Sequence, residues 1–297
     1  MVKKALIERL KCPFCSSKNL KLIYKKNYLS GDIKNFLKEH LNRFPLKIIK
    51  NKNFEKINFL NCTGIFQKYI LNKFYTKKFY EKYVPHKIAF NKKKKLTNYF
   101  RKVYNYEYSL VKKYFKNKKR KIKVLEIGAG WGHWLLNINK NKDFSITAVE
   151  ISETRRKFLI KNKIKTFSSM NLIKGKFDFI FSDQTFEHLS EPFLSLKKIT
   201  KNLKVGGIIY LKVPPGIFIK KKLTKNYIVG DDEIIPLEHI NVFNKLVNST
   251  LAKNLGLKYL YPLNPYSFFS LDYFKKLIVN FYEYHSSKTI IFQNIKK

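Results

Sequence analysis

The chain has 297 residues, of which 44% are hydrophobic, so it is long and apolar enough to form a large globular core with a small appendage. No apolar run approaches the roughly 20 residues of a membrane-spanning helix, and the N-terminal apolar stretch is too short for a signal peptide, so we expect a cytoplasmic protein. The three cysteines, an odd number, argue against a disulfide framework.

The formal net charge of +42 ordinarily indicates nucleic acid or an anionic membrane as a partner. Only six of the 62 basic residues are Arg, however, the side chain best suited to phosphates and bases. Lys, Asn, Ile, Phe and Tyr are abundant together, as an A+T-rich coding sequence would produce. We therefore do not expect nucleic acid as the partner, whereas a peripheral attraction to anionic membranes stays open.

The N-terminal region carries a candidate metal site. The segment Cys12-Pro13-Phe14-Cys15 is a C-x-x-C motif, which offers two thiolates to zinc. The only other cysteine is Cys62, and a structural zinc site needs four ligands. Either His40 or His86 completes a site with the three cysteines, or the metal has been lost and aromatic packing maintains the region.

Two domains are predicted, residues 1–85 and residues 86–297, with the solvated run Lys92 to Lys95 near their boundary. From Leu96 to Phe115 the apolar residues recur at helical spacing and predict an amphipathic helix.

The segment from Lys123 to Trp134, KVLEIGAGWGHW, organises the second domain. Val124, Leu125 and Ile127 predict a short strand that is buried on both faces, as in a parallel sheet. The strand contains Glu126 close to its carboxyl end.

A glycine-rich loop follows this strand. Gly128, Gly130 and Gly132 allow the backbone to turn with positive φ and to approach a ligand closely, and a helix is predicted from Trp131 to Asn139. A dinucleotide site prefers G-x-G-x-x-G, with a pyrophosphate at the helix N-terminus. The spacing G-x-G-x-G with Glu126 just before it instead suits a ligand that has an ammonium group and no phosphate.

Further strands and helices alternate along the chain. A strand from Ile146 to Val149 ends in Glu150, where an acid can accept hydrogen bonds from both hydroxyls of a ribose. A later strand, Phe177 to Phe181, is followed by the loop Ser182 to Leu189, SDQTFEHL. The other predicted elements are helices at Ser152 to Lys161, with Ser152 as N-cap, and Pro192 to Leu203, and strands at Ile164 to Phe167, Leu203 to Pro215, Leu257 to Leu260 and Thr289 to Asn294.

Four of these segments serve as motifs: the glycine-rich loop, the strand that ends in Glu150, the loop Ser182 to Leu189, and the strand Leu203 to Pro215. In this order and spacing they resemble the class I S-adenosylmethionine-dependent methyltransferases. The resemblance implies a doubly wound, mostly parallel seven-stranded sheet of the Rossmann-like type with one antiparallel strand. It also implies that S-adenosylmethionine is the cofactor. The cofactor-binding residues that it implies are Glu126, Gly128, Ala129, Gly130, Gly132, Glu150, Ile151 and Gln184.

The catalytic candidates follow from the same resemblance and from the chemistry of methyl transfer. His188 and His239 each follow a carboxylate, Glu187 and Glu238, and a general base helps when the acceptor is a hydroxyl or an acidic carbon. For each histidine the structural alternative is a hydrogen bond that fixes a loop. Some quinone-pathway O-methyltransferases with a similar loop bind a divalent metal through an additional carboxylate, and Gln184 stands at that position, so no catalytic metal is predicted.

The predicted function is methyl transfer to an oxygen or carbon of a small molecule, such as a sugar or a lipid-linked intermediate. An RNA methyltransferase that uses the lysines and a non-catalytic scaffold are the alternatives. Zinc-ribbon modules precede some sugar methyltransferases, and residues 1–85 resemble a degenerate form of them, with Leu60 and Thr63 where a second cysteine pair would stand.

Overall fold

The structure is a computed structural model, and it describes residues 4–59, 62–85, 98–138, 142–214, 216, 219–225, 227–230, 233–260 and 289–295. In these ranges the strands are β1 Leu6–Glu8, β2 Leu20–Asn27, β3 Asn53–Phe59, β4 Ile65–Gln67, β5 Tyr69–Leu71, β6 Ile122–Ile127, β7 Phe144–Val149, β8 Lys165–Phe167, β9 Phe177–Asp183, β10 Leu203–Lys212, β11 Asn241–Val242, β12 Lys258–Leu260 and β13 Thr289–Gln293. The α-helices are α1 Gly31–His40, α2 Lys73–Lys78, α3 Asn98–Tyr114, α4 His133–Ile138, α5 Glu153–Lys161, α6 Pro192–Thr200, α7 Ile219–Lys225 and α8 Lys245–Leu255. None of these helices combines the length and the hydropathy needed to cross a bilayer.

The central sheet has seven strands in the order β12-β13-β10-β9-β6-β7-β8. β6 pairs in parallel with β7 on one side and with β9 on the other, and β13 is antiparallel to both of its neighbours. The strand order therefore reverses at β6, so the carboxyl end of β6 lies at a topological switch point. The prediction of a doubly wound, mostly parallel seven-stranded sheet with one antiparallel strand is confirmed.

The sheet is buried on both faces, as the sequence of β6 predicts. Val124 and Leu125 are adjacent and fully buried, and they belong to two different hydrophobic clusters on opposite sides of the sheet. On the Val124 side, the Trp134 ring of α4 stacks on Phe181 of β9 at 4.1 Å between centroids. This stacking places α4 directly against the sheet.

Two details of the predicted helices need correction. The helix after the glycine loop begins at His133 and not at Trp131, because Gly132 has a φ of 67°, which an α-helix cannot contain. Ser152 occupies the N-cap position of α5, but its side chain makes no capping hydrogen bond. The remaining predicted elements agree with the structure to within a few residues, except where Asn139, Leu96 and Pro215 lie outside the described residues.

The N-terminal region forms a second sheet, and the C-terminal part of the chain completes it. The order is β11-β4-β3-β2, with Asn241 paired to Phe66 and Val242 paired to Ile65. Ile219, Leu223, Ile234, Leu237 and Val242 pack into the same hydrophobic cluster as the N-terminal strands. A segment assigned by sequence to residues 86–297 thus joins the sheet of residues 1–85.

Asp178 joins the start of β9 to the segment that enters β6. Its buried carboxylate accepts two hydrogen bonds of 2.8 Å from the Arg120 guanidinium, one of 2.9 Å from the Lys123 backbone N–H, and one from Lys118. Burial alone would raise the pKa of Asp178, but Arg120 and Lys118 outweigh it and hold the pKa well below its usual value. The Asp178 carboxylate therefore has a structural role.

Candidate cofactor and acceptor site

A cavity of about 400 Å³ lies at the carboxyl ends of the central strands, the edge at which open α/β sheets bind ligands. The loops after β6, β7 and β9 contribute Gly128, Glu150 and Gln184 to its wall. The N-terminal region also contributes, through α2 and the turns after it; these lining residues are Thr76, Tyr80 and Val84. Both predicted domains therefore form the wall of one cavity.

The glycine corner after β6 has backbone angles that glycine adopts far more readily than other residues. The φ angles of Gly128, Gly130 and Gly132 are 71°, 57° and 67°. A Cβ on Gly128 would collide with the Thr185 side chain, and a Cβ on Gly132 would collide with Leu159 of α5. Gly128 and Gly132 are therefore required by space as well as by φ, whereas Gly130 is favoured by its φ alone.

Glu150, directly after β7, holds this corner in place. Its Oε2 accepts a hydrogen bond of 2.7 Å from the Gly130 N–H, and its Oε1 accepts one of 2.8 Å from the Ser152 N–H. The side chain is only 3% exposed, yet it lines the cavity. Because a carboxylate offers about four acceptor positions, two remain for the hydroxyl groups of a ligand.

The catalytic candidates Glu187, His188 and His239 lie together beside the cavity. His188 Nδ1 lies 2.8 Å from the Glu238 carbonyl oxygen, and His188 Nε2 lies 3.5 Å from Glu187 Oε1. The His239 ring is 4.8 Å from the His188 ring between centroids, at 63°. The sequence placed the two histidines at one edge of the sheet, and the structure brings them into contact.

The two carboxylates next to His188 differ in their surroundings. Glu187 is 1% exposed, and this burial raises its pKa to about 7, although the neighbouring His188 opposes the rise. Burial also acts on Glu238, but a hydrogen bond of 2.7 Å with His40 Nε2 outweighs it and lowers the pKa of that carboxyl. As the pH falls, Glu187 therefore takes up a proton before Glu238 does.

Comparison with protein-family models matches residues 98–261 to the model described as a methyltransferase domain. This match covers more than half of the chain. The chain belongs to the methyltransferase-domain family. It is a class I S-adenosylmethionine-dependent methyltransferase, as the sequence motifs imply.

Solved structures with similarity to this methyltransferase share little sequence with it. One is the plantazolicin methyltransferase BpumL in complex with SAH, at 17% identity, a TM-score of 0.48, and coverage of 70% of this chain and 89% of that chain. Another is a putative sarcosine dimethylglycine methyltransferase from Galdieria sulphuraria, at 17% identity, a TM-score of 0.41, and coverage of 65% and 84%. No curated protein matches the sequence significantly.

The cavity of this methyltransferase fits S-adenosylmethionine. Gly128 lines the cavity without a side chain, and Glu150 retains acceptor positions for ribose hydroxyls. Ser168, Ser169 and Met170, which follow β8, line the cavity where an adenine would be expected.

The predicted cofactor residues divide into two groups. Gly128, Glu150, Ile151 and Gln184 line the cavity, whereas Ala129, Gly130 and Gly132 shape the corner behind it. Ala129 is 7% exposed, and its N–H donates to the Val149 carbonyl oxygen at 3.1 Å.

Glu126 is the exception among the predicted cofactor residues, since it is absent from the described cavity wall. Its side chain is 4% exposed and lies toward α3, where its carboxylate adds to the rise in the pKa of Tyr104 that burial mainly causes. The expected contact between Glu126 and the ammonium group of the cofactor stays a prediction.

The predicted metal ligands Cys12, Cys15 and Cys62 also converge. Cys62 Sγ lies 3.6 Å from Cys12 Sγ and 3.5 Å from Cys15 Sγ, close to the separation of about 3.8 Å that tetrahedral zinc–thiolate bonds imply. In the described part of the chain no His, Asp, Glu or further Cys joins this group. His40 does not complete it, because its ring binds Glu238, and His86 lies outside the described residues.

Sequence analysis missed the contributions of the N-terminal region to the cavity. Tyr80 lies with its ring 5.6 Å from the His188 ring, and burial raises its pKa well above the usual value, with smaller effects from Glu238 and Glu187. Arg155 of α5, with Nη1 3.9 Å from Glu150 Oε2, was also missed. No sequence signal identifies Tyr80, because an aromatic residue in an aromatic-rich segment is ordinarily assigned to packing.

Proposed function

We propose that this methyltransferase transfers the methyl group of S-adenosylmethionine to a hydroxyl oxygen or an acidic carbon of a small molecule. The observation that carries the proposal is the shared cavity. Gly128 and Glu150 line this cavity on the side of the glycine corner, and His188, Glu238 and Tyr80 line it as well. A volume of about 400 Å³ within the described residues suits a small ligand and not an extended polymer.

The chemistry divides between alignment and proton removal. The bound cofactor supplies an electrophilic methyl group on a sulfonium. Glu150 holds the corner through Gly130 and orients the ribose hydroxyls, which fixes the cofactor relative to the acceptor. The enclosing Tyr80 and Leu189 side chains help to exclude water.

His188 is the residue proposed to accept the acceptor proton. The Glu238 carbonyl oxygen can only accept a hydrogen bond, so His188 Nδ1 carries the proton in this contact. Its Nε2 therefore has a lone pair that can accept a proton from a hydroxyl. The fixed Glu238 carbonyl sets this tautomer before the acceptor arrives.

The distribution of charge argues against RNA as the acceptor. A cleft of about 490 Å³ lined by basic residues lies next to the start of β6, at the amino ends of the parallel strands; these residues are Lys112, Lys116, Lys118, Lys119, Arg120, Lys121 and Lys142. The cofactor cavity lies at the carboxyl ends and is lined by Glu150, Glu238 and one cation, Arg155. The most basic described cleft thus lies on the wrong edge of the sheet to hold a polymer against the cofactor.

The test is transfer of labelled methyl groups from S-adenosylmethionine into fractionated cell metabolites. We expect label in a small-molecule fraction, and we expect His188→Ala to reduce turnover by about 10²- to 10⁴-fold while it retains the cofactor affinity of the parent. A variant as active as the parent would remove His188 from the reaction. Label confined to RNA, with a steep loss of activity as salt rises, would support the RNA alternative. Cofactor binding without transfer to any fraction would support the scaffold.

A further inference from the structure

Three side chains with metal-binding atoms meet beside the cavity: Glu187, His188 and His239. One ligand atom from each lies within 4.8 Å of the other two. Glu187 and His188 belong to the short 3₁₀ segment Phe186–His188 after β9, whereas His239 lies just before β11. Two separate segments of the chain therefore supply the cluster.

The Glu187 carboxylate is the first sign that a cation belongs there. It is 1% exposed, and no described side chain donates a hydrogen bond to either of its oxygens. A buried carboxylate without side-chain donors costs several kcal/mol of folding free energy. A metal ion would supply the positive charge and the coordination that the surrounding protein does not.

The orientation of His188 is the second sign, and it is independent of the first. Its Nδ1–H donates to the Glu238 carbonyl oxygen at 2.8 Å, which leaves the Nε2 lone pair on the side of Glu187, 3.5 Å from Oε1. Metal-binding histidines generally donate their other ring N–H to a carbonyl or carboxylate in this way. The hydrogen bond fixes both the tautomer and the direction of the lone pair.

Backbone contacts hold the two segments together. The Ile240 N–H donates to the Glu187 carbonyl oxygen at 3.0 Å, and the Asn241 side-chain amide donates to the same oxygen at 3.2 Å. The buried Lys56 ammonium donates to the His239 carbonyl oxygen at 3.1 Å. Hydrogen bonds thus fix the backbone that carries the three ligands, as a preorganised site requires.

We propose that Glu187, His188 and His239 bind one divalent transition-metal ion. Two imidazole nitrogens and one carboxylate oxygen suit zinc, iron or cobalt, whereas magnesium and calcium prefer oxygen ligands alone. Tetrahedral bonds of about 2.1 Å place ligand atoms roughly 3.4 Å apart, so ligand atoms that now lie up to 4.8 Å apart approach by up to about 1.4 Å on binding. The sequence argues against a metal site in which residue 184 is a ligand, because that residue is Gln184. In the proposed site the third ligand is His239 and not residue 184.

The site would act on the acceptor side of the cavity, which His188 lines. Without the ion, His188 Nε2 accepts the proton of the acceptor directly. With an ion at Nε2, an acceptor hydroxyl would bind to the ion, which would lower the pKa of the hydroxyl so that its proton would pass to solvent water before methyl transfer. This consequence rests on the proposed function, whereas ion binding itself does not.

The test uses Co²⁺ and Zn²⁺ as probes on the metal-free full-length protein, without cofactor or acceptor. The cysteine cluster competes for these ions, so titrations are run in parallel on the parent and on Cys62→Ser. In both we expect one ion at the histidine site, seen for Co²⁺ as a visible absorption without thiolate charge transfer in the cysteine variant. His239→Gln and Glu187→Gln should each weaken this binding by more than about 100-fold, whereas His133→Gln should not change it. Equal Co²⁺ affinity in Cys62→Ser and in a folded protein that carries both Cys62→Ser and His239→Gln would overturn the proposal.

A second measurement needs no substitution. Co²⁺ bound at His188 and His239 should shift exchangeable imidazole N–H signals far outside the normal proton NMR range, including the His188 Nδ1–H that Glu238 protects. Absence of such signals at saturating Co²⁺ would overturn the proposal. Methyl transfer that persists in a protein without this ion would count only against the metal site. Loss of all methyl transfer in a protein that binds the ion would count only against the proposed function.

Discussion

Glu150 offers the most direct test of the cofactor site, because its carboxylate has two separable tasks. Its oxygens accept hydrogen bonds from the Gly130 and Ser152 N–H groups at 2.7 and 2.8 Å, and its remaining acceptor positions face the cavity. Glu150→Ala removes all of these at once. The variant should therefore bind the cofactor less tightly and also hold the glycine corner less firmly.

The size of the effect follows from the hydrogen bonds that are lost. A hydrogen bond to a charged acceptor contributes about 1.5 to 3 kcal/mol, and about 1.4 kcal/mol corresponds to tenfold in Kd. We expect Glu150→Ala to weaken S-adenosylmethionine binding by roughly 10- to 100-fold. Glu150→Gln keeps one acceptor oxygen but places an NH₂ group against a backbone N–H, so it should show a smaller loss.

The assay is isothermal titration calorimetry with S-adenosylmethionine, together with thermal melting of each variant. Glu153→Ala is the matched control, since this exposed acid is three residues away and pairs only with Lys157 at 2.8 Å among the described residues. It should bind the cofactor as the parent does. A folded Glu150→Ala protein with the parent Kd would refute both the ribose contact and the support of the corner.

Three further predictions concern other parts of the molecule. Asp178→Asn should lower the free energy of unfolding by about 3 kcal/mol at pH 7. Because the native pKa of Asp178 lies below the unfolded value of 3.8, this contribution is present above about pH 4 and is lost at lower pH, so urea denaturation at pH 3 should show a smaller difference. Gly128→Ala should abolish cofactor binding, whereas Gly206→Ala, with a similar φ of 70° but open space around its Cβ, should cost only about 1 kcal/mol of stability and leave binding intact. Metal analysis of purified protein should find about one zinc ion fewer in Cys62→Ser than in the parent, and equal zinc contents would show that aromatic packing maintains the region without a metal.

The sequence was sufficient to predict the features that depend on short segments. Val124, Leu125 and Ile127 indicate a buried strand by themselves, and the three glycines after them permit the positive φ angles that the corner has. The order of strands and helices then leaves few topologies for a parallel sheet. The central sheet and the position of Glu150 beside the glycine corner were therefore predictable.

Contacts between distant segments could not be predicted in the same way. The pairing of β11 with β4 places Val242 opposite Ile65. A strand of two residues is too short to show the alternating pattern by which strands are predicted from sequence. The contact of Tyr80 with His188 depends on this pairing, because it brings the N-terminal region to the cavity. The side of β6 on which Glu126 lies was not evident either, since a strand buried on both faces has no polar face to set its orientation.

Backbone strain explains why the contact between His188 and His239 could not be derived from local sequence preference. Gln184 and Leu237 both have positive φ, 49° and 69°, although neither is glycine, and each conformation costs about 1 to 2 kcal/mol. The Leu237 conformation is held by a hydrogen bond of 3.0 Å from its N–H to the Gln67 side chain, which belongs to the N-terminal sheet. Local preference disfavours this turn, and only the assembled sheet stabilises it. Glu238 and His239 follow directly, so their position beside His188 is set by a long-range contact that opposes the local preference of the sequence.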